Sequence, residues 1–143
     1  MVAKRRKPIA RTSRPRKRRK GKKASLARQA DALWSKIVKR KGGCDFAGFD
    51  IGYKPHVCRG ALQAMHGIPR TYRATRWLPV NGFKGCQAAH WYYTVRKEEW
   101  SYFLLHAWGE PVFNELWRIA RGMEKQDLSV VVAKLTSELE ASA

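Results

Sequence analysis

The sequence predicts an α+β protein, with a short irregular centre holding brief strands, helices on either side, and a cationic arm in front. Three observations point there. The chain has 143 residues, enough for one core and too few for two. Apolar residues make up 44% of it, with six Trp, so part of it must fold. Glycines and prolines crowd residues 44–85, whereas apolar spacing of three and four recurs on both sides of them.

Residues 1–25 carry 13 Lys and Arg and no carboxylate, which predicts a disordered cationic arm. Residues 26–122 then form the folded domain with its flanking helices, and 123–143 a C-terminal amphipathic helix. Ser25 is a candidate N-cap for a first helix whose apolar positions are Leu26, Ala30, Leu33, Trp34, Ile37 and Val38. Gly42 and Gly43 stop it. Between Gly48 and Gly85 there is room for short strands at 61–66 and 76–80. Helical spacing returns from Cys86 to Arg96, over 97–107, and over 111–121, where Pro111 suits a first helical position. Leu128, Val131, Val132, Leu135 and Leu139 mark the last helix.

Thirty basic residues against 11 acidic ones give a formal charge of +19, which calls for a polyanionic partner. Nucleic acid suits that charge. No run approaches the roughly 20 apolar residues of a spanning helix, and charge stands where a signal peptide would have its apolar stretch, so the expectation is a cytoplasmic protein with no membrane partner. Residues 51–97 contain no Asp or Glu but eight Lys or Arg, among them Arg70, Arg73, Arg76, Lys84 and Arg96. That stretch is expected to face DNA. Arg70, Arg73 and Arg76, at three-residue steps, would share one face of a helical turn and clamp a phosphate; solvated loop charges are the plain alternative. The missing carboxylates also argue against two-metal or paired-carboxylate chemistry in this segment.

The same stretch supplies His56, Cys58, His66, Asn81, Cys86 and His90. With Gln63-Ala64-Met65-His66, then Arg70, Tyr72-Arg73-Ala74-Thr75-Arg76, Asn81, Cys86, and His90 before Tyr92-Tyr93-Thr94, the chain resembles the HNH (ββα-metal) endonucleases, and most closely the bacteriophage NinG/Rap-type recombination endonucleases. The resemblance runs from about Leu33 to about Ala120. It implies a ββα-metal core flanked by helices. It further implies that His66 is the general base, that Asn81 orients the His66 ring through its amide, and that His90 binds a single Mg²⁺ or Mn²⁺. A neutral imidazole can accept a proton from water near pH 7. One cation can stabilise the charge that develops on the phosphate. Taken singly, Asn81 before Gly82 is an ordinary turn, and a lone His is more often structural.

Two departures stand out. Many HNH sites place Asp immediately before the base as a second ligand; here that residue is Met65, which cannot ligate a hard cation. Related proteins often carry two CxxC zinc knuckles, whereas here Ala47 and Ala89 stand where the second cysteines would be. Cys44, His56, Cys58 and Cys86 could still form a Cys₃His zinc site, or the cysteines could be small buried apolar groups. Trp77 and Trp91 are candidates for contact with bases or sugars, and His106 reads as structural.

The function expected is metal-dependent hydrolysis of DNA phosphodiesters with 5′-phosphate products, in phage recombination on branched DNA. The alternatives are a zinc-stabilised nucleic-acid-binding protein without catalysis and a nicking nuclease of phage DNA packaging. Paired incisions would need a homodimer, for which the C-terminal helix is a candidate interface.

Overall fold

The computed structural model describes residues 22–40, 42–51 and 54–141. Most of the arm expected over 1–25 lies outside the described residues. Its last residues belong to the first helix, α1 (Lys22–Arg40), so Ser25 sits inside that helix and does not cap it. Lys22, Lys23 and Ala24 are good helix formers, and propensity alone can extend the helix past the serine. The stop falls where expected, with Gly43 at a φ of 65°.

Two two-stranded antiparallel sheets follow. The smaller pairs β1 (Asp50–Ile51) with β2 (Lys54–Pro55). The larger pairs β3 (Leu62–His66) with β4 (Gly82–Cys86), Leu62 opposite Cys86 and His66 opposite Gly82. β3 matches the strand expected at 61–66. The strand expected at 76–80 does not form, because Arg76 and Trp77 are drawn to Asp31 of α1 and Pro79 opens a 3₁₀ turn, Pro79–Asn81. The second strand instead uses the glycine-bearing run GFKGC, all five residues of which are buried. Gly82 is needed there, since a Cβ would come within 2.2 Å of Val38 Cγ2 and push α1 off the hairpin.

Helices complete the chain: α2 (Gln87–Val95), α3 (Lys97–Trp108), α4 (Glu110–Arg121) and α5 (Leu128–Ala141). The helices expected over 86–96, 97–107 and 111–121 lie within a residue or two of these, whereas the last, expected over 123–143, begins only at Leu128. The β3–β4 hairpin is packed on both sides. On one side α1 and α5 close a cluster of Ala30, Trp34, Val38, Trp77 and Leu135. On the other, α2 and α3 build an aromatic cluster around Phe46, Phe83, Tyr93 and Phe103 that also buries Met65. A third cluster seats Ile68 on Leu116 and Ala120 of α4. No helix among the described residues is long and apolar enough to cross a membrane.

Candidate functional site

Two arrangements of chemically active side chains emerge beside the hairpin. The first is a cysteine–histidine cluster. The 3.0 Å bond from Ala47 N–H to the Cys44 carbonyl tightens the turn that presents Cys44, and the β1–β2 hairpin folds His56 back, its N–H donating to the Phe49 carbonyl at 3.1 Å. Cys86 ends β4 and caps α2, its sulfur accepting from Ala89 N–H. The side-chain donor atoms of Cys44, His56, Cys58 and Cys86 thereby all lie within 4.8 Å of one another. His56 Nε2 is 3.2 Å from the Cys86 sulfur, and the Cys86 N–H donates to the Cys44 sulfur at 3.4 Å. In a tetrahedral zinc centre with Zn–S bonds of about 2.3 Å, the ligand atoms are about 3.8 Å apart, so this set could hold such an ion with small adjustments. The cysteines are free thiols with no disulfide between them.

Electrostatics in the cluster favour a cation. Desolvation, followed by the neighbouring Cys44 and Cys86, pushes the Cys58 thiol up to about 11. Burial also acts to raise Cys86, but backbone N–H groups around its sulfur outweigh burial and hold that thiol below its usual value. Beside these neighbours the Cys58 thiol resists ionising unaided. A divalent ion removes the obstacle, because thiolates rather than thiols are the ligands.

The second arrangement surrounds His66. Its ring lies flat on Trp34 of α1, centroids 3.9 Å apart and planes 13° from parallel. Nε2 is 3.0 Å from the Arg76 carbonyl, an acceptor only, so Nε2 carries the proton and Nδ1 keeps its lone pair. Burial, the largest influence, lowers the His66 pKa; the Arg76 carbonyl and Asp31 raise it without offsetting that. The ring is therefore neutral near pH 7. Asp31 fixes the turn that delivers this carbonyl: it accepts from Arg76 Nε at 3.0 Å and Nη2 at 2.6 Å, and from Trp77 Nε1 at 2.8 Å. Trp34 is fixed in turn by donating to the Leu78 carbonyl at 3.0 Å.

Asn81 is fully buried, but it does not orient His66. Its Oδ1 accepts from Ile68 N–H at 2.6 Å, and its amide nitrogen donates to the carbonyls of Ile68 (3.1 Å) and Thr75 (3.0 Å). Both amide protons are thus spent on the 67–81 connection, and the side chain acts as a pin for that loop.

His90, in the first turns of α2, is exposed, with Nδ1 2.5 Å from Gln63 Oε1. Alternation along β3 sends Ala64 and His66 towards α1, and Gln63 and Met65 towards α2 and α3. The two imidazoles consequently occupy opposite faces of β3. The residues that mark their places, His66 and Gln63, are three apart, about 10 Å along the strand. A site in which both act on one phosphate would need them on the same face. The hairpin, covered by a helix on each side, separates them instead. Beside the His90 ring stands the Gln63 amide. Among the described residues, the one group of three or more His, Cys, Asp or Glu placed to share an ion is the cysteine–histidine cluster. A catalytic divalent ion would thus take few protein ligands here and depend on water and phosphate oxygens, as Mg²⁺ commonly does.

The expected cationic surface divides. Arg70, Arg73 and Arg96 are exposed. Arg96 lies 4.3 Å over the Tyr92 ring and 3.5 Å from Glu99. Arg76 is turned inward to Asp31, so it does not join Arg70 and Arg73 in one clamp. Lys84 is buried: its N–H donates to Asp45 at 2.6 Å, and its ammonium caps α1 through the Lys39 carbonyl at 3.1 Å. Trp77 is buried too, leaving Trp91, 68% exposed, as the accessible tryptophan beside the hairpin. His106 is exposed, its ring edge-on to Phe49.

Sequence reasoning missed Asp31, Trp34 and Gln63. Asp31 had a visible signal, being the first carboxylate of the chain and sharing a helix face with Trp34. Comparison with protein-family models, curated proteins and solved structures finds no match for this chain.

Proposed function

We propose that the chain binds DNA and hydrolyses its phosphodiester bonds as an HNH-type endonuclease, with His66 as general base and His90 as protein ligand of one divalent ion. The observation that carries this reading is the state of His66: a neutral ring at the end of β3, its Nε2 proton committed to the Arg76 carbonyl and its Nδ1 left basic. A strand–strand–helix succession, β3, β4 and α2, runs through the stretch of resemblance, with His66 on β3, His90 on α2 and Asn81 in the 3₁₀ turn before β4.

β3 has a partner on one edge only. A nucleic-acid strand laid along its open edge would meet His66 from one face and, about 10 Å further along, His90 from the other, and this replaces the shared cleft. His66 Nδ1 takes a proton from water as the water oxygen bonds to phosphorus and the bond to the leaving oxygen breaks. The divalent ion supplies charge stabilisation on the phosphate and leaving oxygen. Trp34 and the Asp31–Arg76 pair hold the base in place. Exposed Arg70, Arg73 and Arg96 meet phosphates, so the chain's preference rests on backbone and shape. Zinc in the Cys44–His56–Cys58–Cys86 cluster secures the segment leading into the hairpin. Action on branched DNA in phage recombination, or nicking during phage DNA packaging, follows by analogy with the resembling family.

One observation favours a second reading. Met65 is buried in the aromatic cluster where many such sites have a carboxylate ligand, which suits a zinc-stabilised nucleic-acid binder without catalysis. Incubating the protein with supercoiled plasmid and Mg²⁺ or Mn²⁺, beside a His66→Ala variant, separates the two. Nicking by the parent, with retained binding and no nicking by the variant, supports the nuclease; equal behaviour of both supports the binder. Linear duplex and four-way junction substrates then separate general nicking from junction cleavage.

A further inference from the structure

The turn whose Arg76 carbonyl holds His66 also forms one wall of an open cavity of about 700 Å³, bordered by Ala27 of α1 and by the segment joining α4 to α5. Ala27, Tyr72, Arg73, Trp77, Lys125 and Gln126 line it. The volume falls within the range of small-molecule sites and admits one nucleotide, not a duplex. Tyr72 is 37% exposed and braced edge-on by Trp117, with ring centroids 5.5 Å apart, which leaves it available as a platform for a flat ring. Arg73 and Lys125 have no ion-pair partner among the described residues. They outnumber Glu124, the single carboxylate of the lining.

Gln126 adds a polar feature. Its amide nitrogen donates to the Ala74 carbonyl at 2.8 Å, while its Oε1 is the one buried side-chain acceptor without a donor among the described residues. Such an acceptor is costly to leave unmet. A modest turn of this flexible side chain would offer it to an N–H donor inside the cavity. Aromatic platform, unmet acceptor and unpaired cations together match a base with an exocyclic amine and its attached phosphate.

We propose that this cavity receives a single unpaired nucleobase from the strand whose phosphate lies at His66. The inference rests on the nucleic-acid reading above and deepens it: paired DNA keeps its bases stacked, so the cavity selects bulged, branched or single-stranded DNA. Tyr72 stacks on the base, Gln126 accepts from its amine, and Arg73 and Lys125 hold the flanking phosphate.

The test uses the full chain with no added Mg²⁺ or Mn²⁺, so that binding is read apart from cleavage. Its probes are a duplex with one bulged 2-aminopurine, the matched duplex, and free 2-aminopurine deoxynucleotide. Stacking contributes about 1–3 kcal/mol per base, so the bulged duplex should bind about 5- to 150-fold tighter than the matched one, with a change in 2-aminopurine emission. Ala27→Trp fills the cavity from α1 and should bring the bulged duplex to the affinity of the matched one, leaving the latter unchanged. Tyr72→Ala should do the same if Ala27→Trp fails to fold. Equal affinity of the parent for both duplexes overturns the proposal, as does a folded Ala27→Trp protein that keeps its preference. Free nucleotide binding as tightly as the bulged duplex overturns the strand-borne ligand in favour of a free nucleotide. Absence of nicking by the parent once Mg²⁺ or Mn²⁺ is supplied, with the bulge preference intact, refutes the nuclease reading and leaves the cavity reading standing.

Discussion

Replacing Asn81 with alanine tests the loop pin quantitatively. The side chain is fully buried and satisfies three backbone groups: the Ile68 N–H and the carbonyls of Ile68 and Thr75. Alanine strands all three in a site that water does not reach, and each stranded group costs about 1–3 kcal/mol. Partial relaxation of the 67–81 connection removes some of this, so the expected loss is about 3–5 kcal/mol. At about 4 °C per kcal/mol for a domain of this size, that is a fall in Tm of about 12–20 °C. Thermal unfolding followed by near-ultraviolet circular dichroism reads it directly, because Trp34, Trp77, Trp100 and Trp108 all lie in or against the clusters around this loop. A loss below about 1 kcal/mol would refute the pin. The His66 ring gives the second readout: if Asn81 oriented it directly, the ¹⁵N shifts of the imidazole would change tautomer in a folded Asn81→Asp protein, whereas bonding to the Arg76 carbonyl predicts that they stay.

Other consequences can be checked separately. Arg70→Ala and Arg73→Ala should each lower the slope of log affinity for duplex DNA against log salt by about 0.9, while Lys84→Met should leave the slope alone and lower Tm, because that ammonium caps a helix inside the fold. The purified chain should contain one zinc, released by chelator with loss of ellipticity, and Cys86→Ser should abolish stoichiometric metal; a metal-free chain with unchanged unfolding would remove the cluster from the account. His66 has a lowered pKa when folded, so below about 6.5 the unfolded chain takes up a proton that the folded chain refuses. Stability is therefore full above that pH and falls as pH drops through it; urea midpoints at pH 7.5 and 5.5 should show the fall, and His66→Gln should flatten it.

The helices were legible because their apolar spacing survives in the sequence. Leu128, Val131 and Leu135 announce α5 as plainly as Leu33 and Ile37 announce α1. β4 was hidden, since Gly82 and Gly85 read as loop, and only the closeness of Val38 and Phe46 explains why glycine stands at both places. The four zinc-ligand candidates could be gathered by residue type, and the fold does bring them together. The charges could not be sorted that way. Arg76 and Lys84 look like Arg70 and Arg73 in a string of letters, yet one pairs with Asp31 and the other serves a helix end 45 residues away. Long-range partners of this kind leave no local pattern.

The pairing of α1 with α5 bears on when this molecule becomes competent. Leu135 closes the cluster around Trp34, and Arg40 donates to the Leu139 carbonyl, 99 residues further along the chain. At ribosomal speeds of about 5–20 residues per second, that span takes on the order of 5–20 s to synthesise. Until then the indole beneath His66 lacks its outer cover. A nascent polypeptide can thus hold its hairpin and thiols ready while the His66 ring stays loosely seated, and α5 completes the seat once it emerges.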